Sequence, residues 1–169
     1  ISSWASGKPV PATMAGDPVP VWFEPVTGGL WKIRVGDAAS PAFPLEGKAG
    51  ITAALGLENR LVIGTDTGMI YSLSRPLPAS DAPLSAAPLA APAPEALVAD
   101  NAKRIDDIVS DGSRLFFLSS GTVFISAGPG KSPVFAFDGL DANRIALQDG
   151  AIVAWSTERR APVTRISFD

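Results

Sequence analysis

The chain contains no cysteine and no histidine. The first absence removes disulfides, thiolate nucleophiles and cysteine metal sites. The second removes the commonest general base and the commonest zinc ligand. Charged residues make up only 18%, and 17 acidic against 14 basic side chains leave a net charge of −3. With no basic excess to neutralise phosphates, no nucleic-acid partner is expected. An anionic membrane surface is disfavoured on the same ground. No apolar run approaches the roughly 18 residues of a spanning helix, so no membrane insertion is expected. A sustained helical period is also missing, which predicts almost no helix. Lack of cysteine fits both cytosolic and exported proteins, and the reading leans to an extracytoplasmic or assembly-associated setting. The chain opens on Ile1-Ser2-Ser3 without methionine, as a processed protein or a piece of a longer chain would.

What is present is apolar, and it is cut into short lengths. Hydrophobic residues reach 46% of 169, enough to offset chain entropy and to build one domain over 1–169. Sixteen glycines and sixteen prolines divide the chain into brief segments rich in Val, Ile, Phe, Trp and Thr, the residues that suit a pleated surface. Some segments alternate. Trp31, Ile33 and Val35 share one face and Lys32 and Arg34 the other, and Thr164, Ile166 and Phe168 alternate with Arg165 and Ser167. Others are apolar on both faces: Leu61-Val62-Ile63, Leu115-Phe116-Phe117-Leu118 and Ile152-Val153-Ala154-Trp155. Strands of that second kind need cover on both sides, as in sheets stacked face to face.

The segments repeat. Asn101-Ala102-Lys103-Arg104-Ile105 recurs as Asp141-Ala142-Asn143-Arg144-Ile145. Each copy leads through a short strand and an Asp-Gly turn (Asp111-Gly112, Asp149-Gly150) into a doubly apolar strand. A related unit starts at Ile51, turns at Glu58-Asn59 and enters Leu61–Ile63. A degenerate one starts near Ala12-Thr13-Met14, turns at Gly16-Asp17 and enters Val19–Phe23. Third strands follow at Leu30–Val35, Met69–Leu73, Thr122–Ser126 and Val163–Phe168, with fourth strands at Ala42–Leu45 and Val134–Phe137. A unit of about forty residues with four antiparallel strands has the size of a propeller blade. The fold expected is all-β: a β-propeller-like repeat of about four four-stranded blades, roughly 9–47, 50–99, 103–138 and 143–169. A Pro/Ala-rich insertion at 76–98 reads as extended surface chain, with a weak outer strand near Glu95–Ala99. The last unit stops after three strands, and Ile1–Ala5 is the segment that could complete it and close a ring.

Val62-Ile63-Gly64-Thr65-Asp66-Thr67-Gly68-Met69-Ile70-Tyr71-Ser72-Leu73 resembles a blade of the quinoprotein-dehydrogenase-like and WD-repeat propellers. The resemblance implies the fold alone. The tryptophan docking signature that follows such blades in quinone-binding enzymes is missing, as are regular Trp-Asp dipeptides, so no quinone and no other cofactor is expected.

Asp66-Thr67-Gly68 matches the aspartic-protease tripeptide, but that mechanism needs two carboxylates and the chain has one such tripeptide; it reads as a turn. The same stretch partly resembles a sialidase Asp-box, itself a structural turn. Asp106-Asp107 with Asp111 could form a cation site or a glycosidic carboxylate pair, yet adjacent strand residues point to opposite faces. Gly128-Pro129-Gly130-Lys131-Ser132 fails as a phosphate loop, because the leading glycine is missing and Pro133 follows. Ser110, Ser119 and Ser120 have no histidine base. Of the four tryptophans, Trp22, Trp31 and Trp155 read as core and Trp4 as exposed.

No catalytic, metal or cofactor residues are therefore assigned, and no enzyme activity is expected. The expected role is a non-enzymatic interaction module, a scaffold component of a larger assembly or longer chain, with protein partners. Contact residues would be Trp4, Pro88, Pro92, Pro94, Arg159 and Arg160, and Pro76–Val98 would act as an arm dispensable for folding. The alternatives are a lectin-like carbohydrate binder with aromatic platforms, a carboxylate-dependent hydrolase, and half of a larger propeller completed by another chain.

Overall fold

A computed structural model describes residues 9–14, 20–74, 89, 92–98, 103–126 and 133–168. Seventeen strands are present: β1 (Val10–Pro11), β2 (Thr13–Met14), β3 (Val21–Val26), β4 (Leu30–Val35), β5 (Ala38–Ala39), β6 (Phe43–Pro44), β7 (Ile51–Gly56), β8 (Arg60–Thr65), β9 (Ile70–Ser74), β10 (Glu95–Val98), β11 (Asp107–Ser110), β12 (Leu115–Ser119), β13 (Thr122–Ile125), β14 (Val134–Phe137), β15 (Arg144–Gln148), β16 (Ala151–Trp155) and β17 (Thr164–Ser167). One 3-10 turn, Glu46–Lys48, is the sole helical element among the described residues.

The strands form four sheets in chain order. The first runs β1-β3-β4-β5 with β6 also on β4; the second β10-β9-β8-β7-β2; the third β11-β12-β13-β14; the fourth β15-β16-β17. Each is a meander of antiparallel hairpins. Tight turns join them, and the Asp149-Gly150 link has φ of 49° and 74° at its two positions, the left-handed pair that matches the twist of a two-residue hairpin.

The sheets pack face to face, and the alternation of side chains decides which neighbour each residue meets. On β8, Leu61 and Ile63 enter a cluster with Phe23, Trp31 and Ile33 of the first sheet. Val62, between them, points the other way and packs with Ile108 and Phe117 of the third. β12 repeats this: Leu115 and Phe117 face the second sheet, while Phe116 and Leu118 meet Ile145, Ile152 and Ile166 of the fourth. Leu61, Val62, Ile63, Phe117 and Leu118 are fully buried, each contributing about 1.5–3 kcal/mol of transfer free energy. The repeated Ile105 and Ile145 are both buried and occupy equivalent places, in the second–third and third–fourth clusters. Three clusters thus join four sheets, and among the described residues none joins the fourth to the first. Ile1–Ala5, the segment expected to close the ring, lies outside the described residues.

Three local expectations change. The Ala12–Met14 segment does not simply form a hairpin with Val19–Phe23. Val10 and Pro11 pair with β3, then Thr13 and Met14 cross to pair in parallel with Leu55 and Gly56 of β7, covering the otherwise open backbone of that strand. The Gly16-Asp17 turn lies outside the described residues. Secondly, the 76–98 insertion ends inside the fold. β10 pairs with β9, and Leu97 and Leu89 are buried in the two clusters flanking the second sheet, so deleting the whole stretch would strip that sheet of its outer strand. Thirdly, Trp22 and Trp155 are half-buried and belong to no cluster. They lie opposite Arg34 and Arg144 on the sheet faces turned away from the described clusters. Trp31 is core as expected, its indole N–H donating to the Ala49 carbonyl at 3.2 Å.

The second and third sheets meet at Gly64. A methyl group there would stand 2.5 Å from Ile105 Cγ2 and 2.7 Å from its Cβ. The same Ile105 is held by its own backbone, its N–H donating to the Thr65 carbonyl (2.9 Å) and its carbonyl accepting from Thr52 Oγ1 (2.6 Å). Gly64→Ala therefore forces the two sheets apart, and urea denaturation should show a loss of about 1–3 kcal/mol. An unchanged midpoint would mean that the contact relaxes freely.

Candidate functional site

The carboxylates that suggested chemistry are occupied in holding turns and sheets. Asp66 Oδ1 accepts the Gly50 N–H at 2.8 Å, and its own N–H donates to the Gly50 carbonyl at 2.9 Å. With Gly68 at φ 86°, this is the turn expected. Asp106 and Asp107 diverge, as strand neighbours must. Asp106 Oδ2 accepts the Ser120 N–H at 2.9 Å, while Asp107 Oδ2 reaches the next sheet and accepts the Ile145 N–H at 3.0 Å. Asp111 accepts the backbone N–H groups of Ser113 (2.9 Å) and Arg114 (2.7 Å) and the Arg114 guanidinium (2.8 Å), which hold its carboxyl well below the usual carboxylate range. Among the described residues, no group of three or more potential ligands is placed to hold a metal ion. Ser110 Oγ donates to the Arg114 carbonyl, and Ser119 is buried. Gly128–Ser132 lie outside the described residues.

Those of the expected contact residues that are described fall in two places. Trp4 and Pro88 lie outside the described residues. Pro92 and Pro94 are half-buried on the approach to β10. Arg159 and Arg160 are both exposed at the turn between β16 and β17. Arg159 reaches Asp141 at 3.6 Å and edges a hollow of about 260 Å³ between the third and fourth sheets, which Asp106, Ser120, Asn143 and Glu158 also line.

A different surface stands out. The exposed large hydrophobics of the described residues are Val134, Phe135 and Phe137 on β14 and Val163 at the start of the β17 arm, at 54%, 58%, 40% and 66% exposure. β14 is the outer strand of the third sheet, and one of its edges has no strand beside it among the described residues. Phe135 ends an aromatic row that starts in the core: Phe117 stacks on Phe124 at 5.2 Å, and Phe124 meets Phe135 edge-on at 6.5 Å. Alone among the four sheets, the fourth has three strands, which leaves the outer edge of β17 open among the described residues. Sequence reading placed the β14 strand but not its exposure. The signal was available: Val134-Phe135-Ala136-Phe137 has no polar residue to turn toward water.

Asp107 links the sheets that carry this surface. Burial pushes its carboxyl above the ordinary value, with Asp106 adding to the rise, against the hydrogen bonds from Ile145 and Ile108 and the Arg144 charge. A folded-state value raised above the unfolded one stabilises the fold most below the unfolded pKa, and that gain is lost as pH rises through the folded value. Asp107→Asn keeps an acceptor for Ile145 without the buried charge, and gives up the Oδ1 acceptor that the Ile108 N–H uses. Its stability should fall less than the parent's as pH rises above the ordinary carboxylate value. Asp107→Ala leaves that N–H without an acceptor and should cost about 1–3 kcal/mol. Paired denaturation curves at pH 4 and pH 7 would measure both, and equal losses for Asn and Ala would refute the bridging role.

Comparison with known proteins supports the architecture. A family model described as an N-terminal beta-propeller domain matches residues 1–82. An uncharacterized protein of Treponema pallidum (strain Nichols) is 28% identical over 142 residues, 83% of this chain. The chain spans only 22% of the length of that relative. The crystal structure of the computationally designed Ika4 protein superposes with a TM-score of 0.57 at 11% identity, covering 99% of this chain and 95% of that one; this likeness concerns the fold alone. Together with four sheets stacked in chain order, these matches make the chain a β-propeller-like repeat protein.

Proposed function

We propose that this chain is a non-catalytic, propeller-like module that binds protein partners through the outer strand edges of its third and fourth sheets. One observation carries the reading: of the four large apolar side chains left in water among the described residues, three lie together on β14, and the fourth, Val163, stands just before β17. Single exposed apolar residues are ordinary, whereas a group on strands with free backbone is what association uses. The hydrogen-bonded roles of Asp66, Asp106, Asp107 and Asp111 fit a structural use of the carboxylates. A sugar-stacking surface would want exposed rings at matching places in successive sheets, and Trp31 is buried while Trp22 and Trp155 are half-buried on the two end sheets.

Site-specific photo-crosslinking tests the proposal in the native setting. A photoreactive phenylalanine at position 135 should give adducts that map to one defined protein segment. The same group at Lys32, on the first sheet, should give none. Equal labelling from both positions, or none from 135, would overturn the reading.

A further inference from the structure

Asp111-Gly112, Asp138-Gly139 and Asp149-Gly150 are the three Asp-Gly pairs of the chain, and the fold treats them differently. An Asp-Gly link can react with itself. The glycine nitrogen attacks the aspartate Cγ, an N–Cγ bond forms, a Cγ–O bond breaks, and water leaves with the amide proton. Water then opens the cyclic imide. Addition at Cγ restores aspartate. Addition at the main-chain carbonyl breaks its bond to nitrogen and leaves isoaspartate, in which the backbone runs through the side-chain carbon. Glycine permits the attack because it places no side chain beside the nitrogen. The reaction needs an N–H free of any acceptor and a carboxyl free to swing onto it.

Asp111-Gly112 meets neither condition. The Gly112 N–H donates to Ser110 Oγ at 3.0 Å. Asp111 Oδ1 accepts from the Ser113 N–H (2.9 Å), Ser113 Oγ (2.9 Å) and the Arg114 N–H (2.7 Å), and Oδ2 accepts from Arg114 Nε (2.8 Å). Those bonds also keep the carboxyl charged, whereas loss of water requires its protonated form. Asp149-Gly150 is held otherwise. Gln148 and Ala151 pair across it, and φ of 49° and 74° belongs to the closed hairpin. Imide closure would turn the link out of that geometry and part the pair.

Asp138-Gly139 meets both conditions. The two residues are exposed, and among the described residues neither the Asp138 carboxyl nor the Gly139 N–H has a hydrogen-bond partner. An atom at the Cβ position of Gly139 would meet nothing within 4 Å, so the ring has room. β14 ends at Phe137, and irregular chain follows through Leu140.

We propose that Asp138 is a self-modification site, where the chain forms isoaspartate with water as the sole reagent, and that the fold withholds the same reaction from Asp111. The added main-chain carbon falls between the Phe137–Val123 pair and the Leu140 N–H that donates to the Gly121 carbonyl at 3.0 Å. It would slacken the end of the strand that carries Phe135 and Phe137. The proposal is independent of what binds there.

The test incubates the 169-residue chain at neutral pH in oxygen-18 water and digests it in ordinary water. Each Asp-Gly peptide is read by mass for the heavy oxygen and by electron-transfer fragmentation for isoaspartate. Asp138 should label first, roughly tenfold faster than Asp111, the factor that one or two hydrogen bonds supply. In the urea-unfolded chain the three pairs should label at similar rates. Asp138→Asn should convert faster than the parent, because an amide loses ammonia through the same imide. Hydrogen exchange at the end of β14 should quicken in the isomerised chain. Asp111 or Asp149 labelling as fast as Asp138, the same ranking in the unfolded chain, or no isoaspartate at Asp138 while the unfolded chain forms it would overturn the proposal.

Discussion

The structure depends on strands that are buried on both sides. β8 and β12 lie in the middle of their sheets and between two neighbouring sheets, so the side chains of Leu61–Ile63 and Leu115–Leu118 are all apolar, and each fits one of two facing layers. Such a strand cannot exist in isolation, because either exposed face would be a contiguous hydrophobic surface. Its presence forces a sheet to be stacked on each side. Close packing then fixes details away from the strands, including Gly64, where even a methyl group would collide with Ile105.

The end sheets solve the opposite problem. β4 alternates Trp31, Ile33 and Val35 toward the second sheet with Lys32 and Arg34 on the far side, where Arg34 pairs with Glu24 at 2.5 Å. β17 does the same with Ile166 inward and Arg165 outward. Alternating polarity on the first and fourth sheets thus flanks continuous apolarity on the inner strands of the second and third. The half-buried Trp22 and Trp155 sit on these outward faces beside arginines, where a ring can cover the aliphatic stem of its neighbour.

Much of this was legible in the sequence because strand periodicity is local. Doubly apolar runs at Leu61–Ile63 and Leu115–Leu118 marked inner strands, the two alternating runs marked strands with one wet face, and the repeat of Ile105 at Ile145 marked equivalent plugs between sheets. What was not legible depended on pairing partners. Nothing in Thr13-Met14 says that it joins β7 rather than β3. The equal-looking aromatic positions Trp22, Trp155 and Phe117 differ in burial only because one sheet has two neighbours and the others one. The carboxylates were similarly ambiguous. Asp107 looks like half of a catalytic pair in sequence, and its reach to Ile145 exists only once two sheets are docked.

The stack has an order as well as a shape. Each hydrophobic cluster joins sheets that are consecutive in the chain, so docking needs only loop closure between neighbours. Assembly can follow synthesis, with each sheet settling on the one before it. Among the described residues the second and third sheets are each gripped by two clusters and the first and fourth by one. The two middle sheets would be the last to open under thermal fluctuation, since either can part only by breaking apolar layers on both of its faces.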